Sequence, residues 1–396
     1  MATFISDNKK QFLILGIMAI VFLFFFIIPI PNLFNIEVEL VDDTLEPVET
    51  GNVFLNSLFS ALLLTQDYAQ KHVLTCLIPA FFIAGSISVF LNKGAVLRLL
   101  GKNTKKIISY TVASVSGGIL AVCSCTILPL FEGIRRRGAG LGPAIAFLFS
   151  GPAINITAIF LMASVFGWNF SIFRLIASII IAIITGLLMS LIFRKDEESE
   201  GNMFVSDDET DYSKPIIALF FFFQLIILLI FSFKQIPMFV KLSVTGISII
   251  GFLYILIFRY KKEDSKYYLT EVWSFVKKIL PYLFVGIFIA GILKIIIPES
   301  VIVSIVGSNN LLSNLIGGTF GMVTYFATLT EIPIVQGFID LGMAKGPAMT
   351  LFLTGNSLSL PSFIVLTRNL GIKKVLVYYA IVLVFSSIAG LIFGMI

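Results

Sequence analysis

Long apolar runs separated by short polar ones set the pattern of this chain. Crossing about 30 Å of hydrocarbon takes roughly 20 apolar helical residues at about 1.5 Å each. Runs of that kind recur from end to end, at 12–30, 73–91, 107–128, 144–166, 172–193, 216–233, 238–258, 279–297, 311–335, 347–367 and 374–395. A twelfth, 53–66, is short enough to lie in the membrane interface instead. The pattern predicts an all-α polytopic membrane protein of about 10 to 12 transmembrane helices.

Composition agrees. Of 396 residues, 58% are hydrophobic and only 13% charged, and the mean hydropathy is +1.00; a water-soluble fold of this size could not hide that much apolar surface. The net charge of +5 comes from Lys and Arg at the ends of spans rather than on one amphipathic face, so it points to a lipid bilayer as partner and away from nucleic acid. A multi-pass protein of the cell membrane is expected. The first apolar run follows Lys9 and Lys10 but lacks a small-residue cleavage site, and it reads as a retained anchor. Orientation and oligomeric state stay open, because the basic clusters at 93–106, 135–137 and 259–278 cannot all be cytoplasmic under simple counting.

Two polar stretches punctuate the spans. Residues 35–50 carry only acidic charge, while 194–214 mix both signs without periodicity and read as a linker between an N-terminal membrane half, 1–193, and a C-terminal half, 215–396. The halves look like repeats, about 73–193 and 279–396. Laying the run from Cys125 over the run from Leu329 without a gap brings Pro129 onto Pro333, Gly133 onto Gly337, Gly138 onto Gly342, Gly142-Pro143 onto Gly346-Pro347 and Gly151 onto Gly355. Four spans per repeat with two spans between them predict that both repeats have the same orientation, a parity that fails if any segment is re-entrant.

Inside hydrocarbon every backbone group needs a partner, so Pro and Gly at membrane depth point to helices interrupted beside a protein-lined cavity. Breaks are expected near Pro129, Gly151-Pro152, Pro333 and Pro361. A packing kink explains any one of them as well, but breaks at matching places in two repeats are a pointer to a transporter's binding site. Beside them stand Asn155, Asn356, Ser357 and Ser359, for which interhelical hydrogen bonding without function is an equal alternative, and Glu331, a carboxylate in an apolar run. At that depth it must be paired, protonated or wet, which makes it the candidate proton or ion site unless it marks a span end.

Cys123 and Cys125 are the most distinctive chemistry. On a regular helix residues two apart diverge by about 200°, so both thiols face one ligand only if the segment unwinds; Gly117-Gly118 and Pro129 supply the means. Soft sulfur ligands favour Cu(I), zinc or trivalent arsenic. The bland alternative is two small buried hydrophobes. The single His72 has no second imidazole nearby and nothing local brings Cys76 to the pair, so no resident metal and no cofactor is expected. Nucleotide-binding and hydrolase motifs are absent, and no catalytic residue is assigned.

The run CSCTILPLFEGIRRRGAGLGPAIAFLFSGPAINITAI, with TEIP and GMAKGPAMTLFLTGNSLSLPS in the second half, resembles the predicted permease family that contains the ArsP organoarsenical permeases and the YraQ-type permeases. The resemblance implies a duplicated multi-span permease, some members of which export trivalent organoarsenicals using cysteines. Its cysteine motif falls on Cys123 and Cys125, its G-P-x-x-N on Gly151, Pro152 and Asn155, and its second-half acidic position on Glu331. The expected function is a secondary permease, not an enzyme, moving a small-molecule or metalloid substrate through a cavity between the repeats, with efflux of trivalent organoarsenicals or another thiol-reactive species as the specific form. The substrate-binding candidates are Cys123, Cys125, Gly151, Pro152, Asn155, Asn356 and Ser357, with Glu331 for proton or ion coupling. The alternatives are a membrane thiol oxidoreductase using Cys123 and Cys125, and a non-transporting assembly subunit.

Overall fold

The computed structural model describes residues 38–41, 44–47, 53–70, 73, 77–90, 100, 104–119, 124–154, 156–194, 212–230, 237–296, 305–324 and 331–396. The expected first span, 12–30, lies outside these residues, as do His72, Cys76 and most of the polar linker. A two-stranded antiparallel hairpin, β1 (Val38–Val41) and β2 (Thr44–Pro47), lies within the acidic stretch. The rest is helical: α1 (Val53–Tyr68), α2 (Ile78–Phe90), α3 (Lys106–Ile119), α4 (Ser124–Arg136), α5 (Leu141–Ala153), α6 (Ile156–Phe166), α7 (Trp168–Ile192), α8 (Lys214–Ile230), α9 (Met238–Tyr254, continued by a π turn at Ile255–Arg259), α10 (Lys262–Ile296), α11 (Leu311–Thr324), α12 (Glu331–Asp340), α13 (Lys345–Thr354), α14 (Leu360–Leu370) and α15 (Ile372–Phe393).

Among the described residues four helices are long and apolar enough to cross a membrane: α7, α9 with its π turn, the bulk of α10, and α15. A fifth span results if α5 and α6, bent by 49° about the break between them, count as one. The outward face of α9 is largely apolar, as at Phe239, Ile247, Ile250 and Phe258, as suits a helix facing lipid. The short run at 53–66 is helical. It forms α1 and packs on α10, where Gly291 lets the two backbones touch: a Cβ there would stand 2.5 Å from the Ala61 Cα.

Two short helices form the centre. Every residue of α5 is buried, and every residue of α13 after Lys345; helices apolar all round belong in the interior. Each starts on Gly-Pro, with proline in the first turn where a missing N–H costs nothing. Each is flanked by the same partners in its own half, α3 and α7 for α5, α11 and α15 for α13. The crossings with α7 and α15 depend on glycine. A Cβ on Gly142 would stand 2.8 Å from the Gly186 carbonyl oxygen, and one on Gly346 would stand 2.8 Å from that of Gly390.

Backbone details recur in the same ungapped register. Gly138 (φ 93) and Gly342 (φ 114) turn the chain after α4 and α12, and Gly167 (φ 89) and Gly371 (φ 85) turn it before α7 and α15. A left-handed conformation is open to glycine at little cost, which is why these four positions carry it. The Ala139 N–H donates to the Ile134 carbonyl at 3.1 Å, and the Met343 N–H to that of Phe338 at 2.9 Å.

Orientation differs from the parity expectation. Phe170 and Phe173, near the start of α7, pack on Phe393 at the end of α15, while Lys374 at the start of α15 lies over Phe193 just past the end of α7. The matching helices α7 and α15 therefore run antiparallel. Counting each apolar run as one full crossing is unsafe here, because the run at 144–166 is built of two short helices, α5 and α6, bent by 49°, and the run at 347–367 of α13 and α14, parted by the turn at 355–359.

The prolines have unlike places. Pro129 lies inside α4 and does not break it; the helix begins only at Ser124, so the lost donor concerns its first turn. Pro333 is the third residue of α12 and Pro361 the second of α14, positions whose amides have no intrahelical partner. Pro361 follows an interruption where one is expected, while residues 325–330, on which the break expected before Pro333 falls, lie outside the described residues. The interruption in the second half is the turn at Gly355–Ser359, before Pro361.

The glycine crossings give a direct test. Gly186→Val and Gly390→Val should each destabilise the protein by about 1–3 kcal/mol or more, since the neighbouring backbone cannot recede as a side chain could. Thermal unfolding of detergent-purified protein measures this; an unchanged melting temperature for either variant rejects the close crossing at that position.

Candidate functional site

Between α7 and α12, one carboxylate and one guanidinium are removed from solvent together. Glu331 opens α12 and Arg174 is the seventh residue of α7, and both are 0% exposed. Arg174 Nη2 stands 3.6 Å from Glu331 Oε2, and the Asn356 side-chain amide donates to the same oxygen at 2.5 Å. The guanidinium carbon lies 5.2 Å from the centre of the Phe352 ring, a cation–π arrangement. Arg174 comes from the N-terminal half, and Glu331, Phe352 and Asn356 from the C-terminal half.

Local structure makes each placement. Glu331 sits at a helix start, where backbone N–H groups favour a negative charge. Asn356 follows the end of α13, in the turn that separates it from α14, so its side chain is free of helix geometry. Gly355 makes the room, since a Cβ there would stand 2.9 Å from Glu331 Oε1. In the same turn Ser357 donates to the Phe149 carbonyl of α5 at 3.4 Å, tying the break of one half to the buried helix of the other. Ser359 caps α14 by accepting from the Ser362 N–H, and its carbonyl accepts from Tyr379 at 2.9 Å.

The pair is unevenly satisfied. Among the described residues, none of the three guanidinium nitrogens of Arg174 has a hydrogen-bond partner, and neither has Glu331 Oε1. The approach of 3.6 Å is an ion pair but too long for a hydrogen bond. Buried donors without acceptors are costly, so the arrangement is held by its surroundings rather than by its own geometry.

Of the residues singled out from sequence, the structure brings together Glu331, Asn356 and Ser357. Gly151 and Pro152 are buried in the last turn of α5, where Gly151 leaves space for Ile127, 2.6 Å from where a Cβ would be. Gly151 and Ile127 thus stand as Gly355 and Glu331 do, at matching positions of the register. Cys123 and Asn155 lie outside the described residues; Cys125 is the second residue of α4, and its side chain is not described. Among the described residues no three His, Cys, Asp or Glu side chains gather as a metal site.

Arg174 was not singled out. Reading the apolar run as 172–193 puts it at the edge, where a flanking cation is ordinary. The helix starts at Trp168, about 9 Å earlier along the axis. The readable signal was the single charge inside WNFSIFRLIASIIIAIITGLLMSLI, which intramembrane ionisable residues make worth pursuing.

Comparison with known proteins supplies the framework for this geometry. A family model described as "Predicted permease" (ArsP_1) matches residues 58–395. The chain belongs to that predicted permease family. It is 39% identical over 358 residues to the UPF0718 protein MJ0584 of Methanocaldococcus jannaschii, covering 87% of this chain and 96% of the relative. It is 24% identical over 331 residues to the UPF0718 protein YraQ of Escherichia coli, covering 82% and 79%. No solved structure matches the chain. The matched region of this permease-family chain runs from the second turn of α1 to the C-terminal end of α15, and therefore contains the whole Arg174–Glu331 site.

The pairing has a measurable signature. Arg174→Met alone leaves a buried carboxylate uncompensated and should cost about 3–5 kcal/mol, whereas adding Glu331→Gln should recover most of that loss. Unfolding of the two single variants and the double variant in detergent closes the cycle. Strictly additive losses would mean the two groups do not interact.

Proposed function

We propose that this protein is a secondary permease of the cell membrane, moving a small solute through the space between two related halves, with Glu331 carrying the coupling proton. The observation that carries the reading is the Arg174–Glu331 pair, buried where the halves meet beside an interrupted helix. Ionisable groups at such a depth mark solute and proton paths in membrane proteins, and membership of a permease family agrees with that role.

The duplication belongs to the same proposal. Recurring positive-φ glycines, paired glycine crossings and antiparallel α7 and α15 support two repeats of opposite orientation, about 73–193 and 279–396, separated by a polar linker at 194–214. Inverted repeats give a transporter two exchangeable shapes by rocking one unit against the other around a fixed site. The turn at Gly355–Ser359 and the bend after Ala153 are then the interrupted helices that line the path, and Gly151, Pro152, Asn356 and Ser357 are its polar and backbone lining, with Asn155 a candidate from the sequence alone.

The specific form, efflux of a trivalent organoarsenical or another thiol-reactive solute, rests on Cys123 and Cys125 in the sequence. A screen on purified protein in liposomes, with and without a pH gradient and including trivalent methylarsenicals, tests both levels. Transport of at least one solute without nucleotide is expected; movement of none under any gradient rejects the permease. Loss of methylarsenical transport in Cys123→Ser/Cys125→Ser would tie the thiols to the solute, and unchanged transport would remove them from the site.

Glu331→Gln isolates the coupling step, because the amide keeps the shape and cannot titrate. Solute movement driven by a pH gradient should fall to background in a folded Glu331→Gln protein, while solute counterflow at equal pH persists. A variant with unchanged pH dependence rejects the coupling role.

A further inference from the structure

Proton coupling at Glu331 leaves the state of Arg174 unexplained. A guanidinium offers five N–H donors in a rigid fork that matches two oxygens of a carboxylate or sulfonate. Here that fork is wholly buried, with no hydrogen-bond acceptor among the described residues and a single carboxylate oxygen 3.6 Å away. Glu331 accepts its close hydrogen bond from neutral Asn356 instead. Such a cation holds charge balance with one partner while its hydrogen-bonding capacity stays unused.

Building on the permease reading, we propose that Arg174 is the group that binds the solute, and that the solute carries a monovalent oxyanion headgroup which replaces the Glu331 carboxylate on Arg174 when Glu331 takes up a proton. Asn356 suits this exchange. Its amide donates to the carboxylate now, and its carbonyl oxygen can accept from the protonated acid, so Glu331 keeps a partner in either form. Charge balances in both states: one cation against one carboxylate, or one cation against one bound anion with a neutral acid beside it. Proton and anion then travel together, and no net charge crosses the hydrocarbon with the site.

The surroundings leave the proton to Glu331. Besides α7 with Arg174, the elements packed on α12 are α6 and α11, which have no titratable residue, and α13, which brings only Lys345 at its opposite end, while α12's own Asp340 stands at its far terminus. Around α7, neither α5 nor α6 has a titratable residue, and α3 brings Lys106 and Tyr110, whose hydroxyl is directed to the Gly186 carbonyl. From α15 come Tyr378, Tyr379 and, at its start, Lys373 and Lys374. Among the described residues the site is also single. In the register that matches the halves, Ile127 stands where Glu331 does and buried Tyr378 where Arg174 does, so one anion per cycle is expected.

Equilibrium binding tests this directly. Detergent-purified wild type, Glu331→Gln and Glu331→Gln/Arg174→Gln are titrated with acetate, benzoate and methanesulfonate, and with neutral benzamide, while thermal unfolding is followed. At pH 8 the Glu331→Gln protein should bind at least one of the three anions about tenfold or more tightly than wild type, wild type should gain affinity as the pH falls, and the double variant should lose the effect. Equal response of Glu331→Gln and the double variant to all three anions overturns the proposal. Should the double variant not fold, Arg174→Lys in the Glu331→Gln background replaces it: a point charge without the fork should weaken binding by about tenfold, and undiminished binding overturns the proposal. Transport of a methylarsenical without binding of any oxyanion leaves the permease standing and removes the oxyanion class. Anion binding as described, with no solute moved in liposomes, leaves the Arg174 site standing and removes the permease.

Discussion

A guanidinium withdrawn from both water and lipid requires a negative partner, and most of the centre of this molecule follows from supplying one to Arg174. The carboxylate comes from the first residue of α12, where the helix start favours its charge. It fits because position 355 has no side chain, and it is held by Asn356 because α13 ends there. Were α13 to continue into α14 as one helix, Asn356 and Ser357 would be fixed by helical geometry and the room beside Gly355 would go to the next turn. The interruption is therefore part of the charge site, and the Ser357 bond to α5 carries the same interruption into the other half.

A site of this kind needs rigid walls, and here those walls are two short buried helices rather than long spans. In lipid there is no hydrophobic gain from pressing helix on helix, so close approach through small residues does much of the work. Gly142 against Gly186, and Gly346 against Gly390, bring backbones near enough for dispersion to act along the whole crossing. Each crossing lies about two turns or more from the polar end of its central helix, so the packing that fixes α5 and α13 is separate from the break that serves the site. Aromatic contacts of Phe352 with Phe166 and Phe170 then lock α13 onto the start of α7, beside Arg174.

How much of this could be read in the sequence depends on the kind of signal. Apolar runs gave the membrane class and placed α7, α9 and α15 to within a few residues. The Gly/Pro register anticipated features that recur in the backbone, because a left-handed turn at Gly138 and Gly342 leaves a residue-type trace. Proline position was a mixed guide: Pro129 lies within a continuous α4, whereas the chain is interrupted at Gly355–Ser359, just before Pro361. Orientation was lost to the short helices, since an apolar run of span length does not disclose that it bends. Glu331, Asn356 and Ser357 stood out as polar residues in apolar surroundings, whereas Arg174 was hidden by a boundary error of four residues. Which carboxylate meets which cation is a matter of tertiary packing, and no spacing in the chain records it.

Matching frames with unlike side chains explain how such a protein keeps its architecture while holding one charge site. Gly151 accommodates the methyl end of Ile127, and Gly355 at the matching place accommodates the carboxylate of Glu331. The space is alike and the chemistry is not. A second buried ion pair at Ile127 and Tyr378 would double the desolvation penalty without any further contribution from packing. Filling those positions with an aliphatic and an aromatic side chain keeps the interior dense and leaves the charge where Asn356 and the helix start can support it. Glycine and proline thus determine how the helices pass one another, and a few side chains at the junction determine what the junction can bind.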